Sequence, residues 1–144
     1  MNFRFLITLS TLVFSFWLSA CSKGGSPNDG GSGNNPSPTD TIPPVLSVQT
    51  PTNNQVFNTG NTINVTGLVT DDLGLYRGSI RIVNDASGLL LKEQLYEIHF
   101  FKQYNFSVSQ VVNVTVPTDF TITVWFEDHG YNKTTKVVKV KVNP

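Results

Sequence analysis

The stretch "DFTITVWFEDHGYN", residues 119–132, decides how this chain folds. Phe120, Ile122, Val124 and Phe126 occupy alternate positions, with threonines and Trp125 between them. Successive side chains of an extended strand point to opposite faces, so this period of two gathers four large apolar groups on one face. Thr121, Thr123, Trp125 and Glu127 fall on the other. "EDHGYN" then interrupts the pattern with turn-forming residues, and Val138, Val140 and Val142 resume it in "TKVVKVKVN", residues 135–143. Two strands that are each apolar on one face need a second layer to cover them.

The same texture runs back towards residue 42. A first strand covers residues 45–48, bounded by Pro43-Pro44 and Pro51. "NTGNT", residues 58–62, is a turn in which Gly60 is free to take a positive φ. Ile63, Val65, Gly67 and Val69 then alternate along a second strand that stops at "TDDLG", residues 70–74. Residues 75–83 form a third, with Ile80 and Ile82 inward, and "NDASG" turns the chain. A further strand is expected over residues 106–116, with Val112, Val114 and Val116 in register. "LLLKEQLYEIHFF", residues 89–101, reads two ways. Leu91, Leu95 and Ile98 have helical spacing, whereas Tyr96, Ile98 and Phe100 alternate. The aromatic second half favours a strand, with a one-turn helix at residues 92–95 left open. About seven strands in roughly a hundred residues predict an all-β, immunoglobulin-like sandwich over residues 42–144. With a single cysteine in the chain, no disulfide crosses that core, and burial alone must hold it.

Composition agrees. The 144 residues leave room for one such domain and an appendage. Ten basic and ten acidic side chains cancel, so no global field draws the chain to nucleic acid. The appendage is N-terminal. A short basic start, residues 1–4, precedes an apolar run over residues 5–18 that is too short to span roughly 30 Å of hydrocarbon but suits a secretory signal. It ends in Leu18-Ser19-Ala20-Cys21. "SKGGSPNDGGSGNNPSPTD", residues 22–40, follows and lacks the apolar residues that would repay ordering, so it reads as a flexible spacer. The chain thus divides into a signal peptide (1–20), Cys21 with its linker (21–41), and the domain (42–144).

Leu18-Ser19-Ala20-Cys21 resembles the lipobox of bacterial lipoproteins. That resemblance implies cleavage before Cys21, acylation of its sulfur and amine, and a membrane anchor of several acyl chains. Ser22 is similar to the residue that follows the cysteine in lipoproteins sorted to the outer membrane. "DTIPPVLSVQTPTNNQVFNTGNTINVTGLVTDDLGL", residues 40–75, resembles the first half of bacterial Ig-like domains, and "VWFEDHGYNKTTKVVKVKV", residues 124–142, their closing hairpin. Together these resemble small Bacteroidetes lipoproteins of unknown function with one Ig-like domain, anchored at the outer membrane on a face that stays open. Asp40-Thr41-Ile42 is similar to the tripeptides at which such bacteria O-glycosylate exported proteins, which implies Thr41 as an acceptor.

Two sites emerge from the domain. In an Ig-like sandwich Asp40, Asp71, Asp72 and Asp128 gather at one end, where a calcium ion takes several oxygens at about 2.4 Å. Asx-turn bonding explains Asp in these turns equally well and is the simpler account. The second site is Trp125, turned outward between basic ladders that include Arg81 and Lys139. An exposed indole suits a protein or glycan contact, though an Arg81 or lysine stem covering the ring explains it as well. Lysines at 133, 136, 139 and 141 read chiefly as guards against edge-to-edge pairing. No catalysis is expected. His99 and His129 lack metal-ligand spacing, and no nucleophile elbow or phosphate loop is present. The expected role is a non-catalytic binding or structural module. The alternatives are a calcium-stiffened spacer or adhesion domain, or an accessory subunit of a polysaccharide-uptake or secretion complex.

Overall fold

The computed structural model describes residues 39–144. The expected signal peptide, Cys21 and nearly all of the expected linker lie outside the described residues. Eight strands follow in order: β1 (Val45–Thr50), β2 (Gln55–Asn58), β3 (Thr62–Thr70), β4 (Leu75–Asn84), β5 (Leu90–Glu97), β6 (Gln103–Val111), β7 (Thr118–Asp128) and β8 (Lys133–Asn143). They form two sheets, β1-β3-β6 and β2-β8-β7-β4-β5. All pairings are antiparallel except β2 with β8. Two sheets of this order, with their inner faces packed together, make an immunoglobulin-like sandwich.

The period of two does what it promised. Phe120, Ile122, Val124 and Phe126 are buried, as are Ile63, Val65 and Val69 opposite them and Val138, Val140 and Val142 beside them. Phe106, Phe120 and Phe126 are the largest fully buried side chains. Burying one such ring contributes about 1.5–3 kcal/mol. Two glycines make room for two of these rings. Gly67 on β3 pairs with Phe106 on β6, and Gly78 on β4 pairs with Phe126 on β7. A Cβ at either glycine would overlap the phenylalanine ring beside it. The two rings then meet with centroids 5.4 Å apart.

Three segments depart from the sequence reading. The eighth strand is β2, a four-residue run too short to register as an alternation, whose partner β8 lies at the far end of the chain. Residues 90–97 are strand throughout, so the one-turn helix at 92–95 does not form. Their alternation ends at Ile98, because Phe100 takes a positive φ of 66° and sits in a turn. Finally, β6 stops at Val111. Val112 is still buried, but Val114 is only partly so and Val116 is 62% exposed. The corner before Pro117 therefore begins several residues earlier than expected.

Candidate functional site

The outer face of the five-stranded sheet carries the polar half of each alternation. Register sets its rows. One reads Glu97–Arg77–Glu127–Lys133, the next Leu95–Ser79–Trp125–Thr135, the third Glu93–Arg81–Thr123–Val137. Trp125 is half-buried at the centre of the middle row. Leu95 and Val137 stand 64% and 56% exposed nearby. Ser79, between Leu95 and Trp125, is only 1% exposed, and its hydroxyl has no hydrogen-bond partner among the described residues.

Charges frame this row with both signs. Arg77 Nε donates to Glu127 Oε1 at 2.6 Å. Lys133 Nζ lies 4.0 Å from the centroid of the Trp125 ring, a cation–π contact of about 0.5–1 kcal/mol at an exposed site. A groove of about 420 Å³ opens here, lined by Arg77, Leu95, Glu97, Trp125, Glu127 and Lys133. The basic residues singled out from sequence are engaged elsewhere. Arg81 stands one row away, 3.4 Å from Glu93. Lys139 pairs in register with Thr121, two rows from Trp125, and reaches Asp85 at 3.4 Å. It lines a separate groove of about 270 Å³ with Asn54, Asp85 and Asp119. Lys133 is thus the cation over the indole, a residue the sequence reading took as an edge guard because register, not parity, selects it. Arg77, one row away like Arg81, is held by Glu127. Lysine guarding also needs refinement. β2 covers β8 only over residues 140–143, so Lys133 and Lys136 lie on the stretch that β2 leaves unpaired.

At one end of the sandwich the lead-in to β1, the β3–β4 loop and the β7–β8 turn converge. Carboxylate oxygens of Asp40, Asp71 and Asp72 lie within 4.8 Å of one another. Asp40 is 6% exposed. Its Oδ1 accepts the Ile42 N–H at 3.2 Å, and its backbone carbonyl accepts Asn132 Nδ2 at 3.0 Å. Asp71 Oδ2 accepts the N–H groups of Leu73 and Gly74. The remaining oxygens, Asp40 Oδ2 and Asp71 Oδ1, are closed to solvent and accept no hydrogen bond among the described residues. Burial pushes the Asp71 carboxyl above its ordinary range, with the nearby charges of Asp128 and Asp40 adding to it and the two backbone N–H bonds opposing it. Asp128 stands apart from this trio. It is fully buried, and its two oxygens accept the backbone N–H and side-chain amide of Asn132, at 2.9 Å each. It closes the β7–β8 turn across four residues, whereas Asp40 and Asp71, whose side chains accept the N–H two residues on, make the Asx-turn bonds of the simpler sequence account. Thr41, beside Asp40, is exposed.

A third feature at this end was not foreseen. His129 stacks on Phe100 with ring centroids 4.1 Å apart and planes 6° from parallel. Tyr76 lies 4.8 Å from His129, and His99 5.4 Å. Burial, then the charge of His99, lowers the proton affinity of His129, while Asp128 and Asp71 oppose the shift. The turn at Phe100 brings its ring onto His129, and an alternating sequence pattern hides such a turn.

Fold and surface together define the class: an Ig-like sandwich module, an architecture used for binding and for structural support. No protein-family model matches the chain, and no curated protein matches it. Among solved structures it is similar to the fibronectin(III)-like modules of Clostridium thermocellum CbhA, at 11% identity and a TM-score of 0.40, over 69% of this chain and 96% of that one. It is also similar to the CARDB domain of the PF1109 protein from Pyrococcus furiosus, solved in complex with di-metal ions. There the identity is 14% and the TM-score 0.42, over 74% and 99% of the two chains. With both TM-scores below 0.5, the class rests on the strand order above.

Proposed function

We propose that this chain is a non-catalytic, lipid-anchored module of the bacterial cell envelope that binds a protein through the outer face of its five-stranded sheet. The anchor rests on the lipobox resemblance at Cys21, and an outer-membrane address on the residues that follow it. One observation carries the binding reading. Trp125 stays partly open at the centre of a sheet face on which Leu95 and Val137 are more than half exposed, in a frame of mixed charges. A part-open indole beside apolar neighbours, rimmed by Arg and Glu, has the anatomy of a protein-docking patch.

A glycan is the weaker reading of the same face. Sugar rings stack on an uncovered aromatic face, and Lys133 already lies over this indole. The test is capture of a partner from envelope extract by the full lipidated chain, compared with Trp125→Ala and Leu95→Glu. Each substitution should lower recovery at least tenfold, since truncating a central anchor typically costs 2 kcal/mol or more of binding, while the melting temperature moves little. Undiminished recovery by both variants refutes the assignment. Retention on envelope polysaccharide that Trp125→Ala abolishes would replace the protein by a glycan.

A further inference from the structure

We infer that Asp40, Asp71 and Asp72 hold a single calcium ion that clamps the lead-in of the domain to the β3–β4 loop. This site is separate from the Trp125 face and stands or falls without it. The donor set is oxygen only, which suits a hard cation. The ligand oxygens lie within 4.8 Å of one another, no farther apart than oxygens around one calcium ion can stand, at roughly 2.4 Å each.

Proximity of acidic groups alone would prove nothing, because exposed carboxylates often cluster in turns. What distinguishes this cluster is the state of its oxygens. Asp40 is more than nine-tenths buried, and its Oδ2 accepts no hydrogen bond among the described residues. Asp71 is only part-buried, but its Oδ1 is likewise closed to solvent and accepts no hydrogen bond among the described residues. Leaving a buried acceptor unmade costs about 1–3 kcal/mol, and more when it is charged. Two such oxygens beside a third carboxylate, with the Asp128 charge close by, form an arrangement that a divalent cation relieves at once. The backbone holds it ready: Ile42 N–H fixes Asp40, and Leu73 and Gly74 N–H fix Asp71. Asp72 is exposed and supplies the outer ligand. A groove of about 320 Å³ lined by Ile42, Pro43, Val45, Thr70, Asp71 and Asp72 gives access for the ion and its remaining water ligands.

The experiment is thermal unfolding of the full chain in detergent, with 1 mM calcium chloride, with the same concentration of magnesium chloride, or with EDTA. Calcium should raise the melting temperature by roughly 5 °C, the size expected when a ligand near tenfold above its dissociation constant binds only the folded state, and EDTA should reverse it. Asp72→Asn, which changes an exposed group and spares the fold, should weaken calcium affinity about tenfold in a calorimetric titration. Asp40→Asn should abolish the shift. Asp119→Asn, at the opposite end of β7, should leave it intact. A melting temperature indifferent to calcium overturns the proposal, as does an Asp72→Asn variant that binds calcium undiminished. An equal response to magnesium overturns the assignment to calcium.

Discussion

Gly78 shows how narrowly single residues are specified here. It faces the core at the one point where the Phe126 ring crosses onto the neighbouring strand, and any Cβ would land on that ring. Gly78→Ala therefore overpacks a core already filled by Phe106 and Phe126, and should lower unfolding free energy by about 2–3 kcal/mol in a denaturant titration. An unchanged midpoint would mean that the ring moves aside without cost. Tyr96 offers a second check. It is buried against Phe126 and Tyr104, and burial, with the Tyr104 charge, pushes its phenol up to about 12. A folded-state pKa above the ordinary 10.0 favours the neutral form. Its contribution to stability is therefore complete below pH 10 and disappears as pH rises through about 12. Of the four tyrosines, Tyr96 should give the last phase of a phenolate absorbance titration. Tyr96→Phe should remove that phase; a profile identical to wild type would show that another tyrosine is the protected one.

Among the strands, legibility followed the length and regularity of alternation. β7, β3 and the second half of β8 bury one side of a strict two-residue repeat, and their faces could be assigned before any coordinates. β2 was invisible, because four residues carry too little pattern and its pairing with β8 spans most of the domain sequence. Sites divide in the same way. Trp125 pointing outward follows from parity alone. Which cation lies over it follows from register, and register is a relation between strands that neither strand encodes by itself. The meeting of Asp40, Asp71 and Asp72 was legible because Ig-like connectivity returns those loops to one end. The closure of Asp128 by Asn132 was not, because a carboxylate that accepts turn N–H groups and one that ligates a metal are written with the same residue.

At the scale of the whole domain, the parallel β2–β8 pair has a mechanical meaning. β1 receives the chain at the end of the sandwich that holds Asp40, and β2 and the last part of β8 run parallel to the opposite end, where Asn58 pairs with Asn143. Tension applied between a tethered N-terminal side and a load on the C-terminal side would slide β2 and β8 past each other lengthwise. All four register pairs would then be strained together instead of opening one after another. Force spectroscopy with handles at residues 55 and 143 should give a higher rupture force than handles at residues 118 and 142, which peel the β7–β8 hairpin from its open end. Equal forces in the two geometries would refute this. A domain wired in this way should resist stretching most strongly along the axis that joins its entry to its exit.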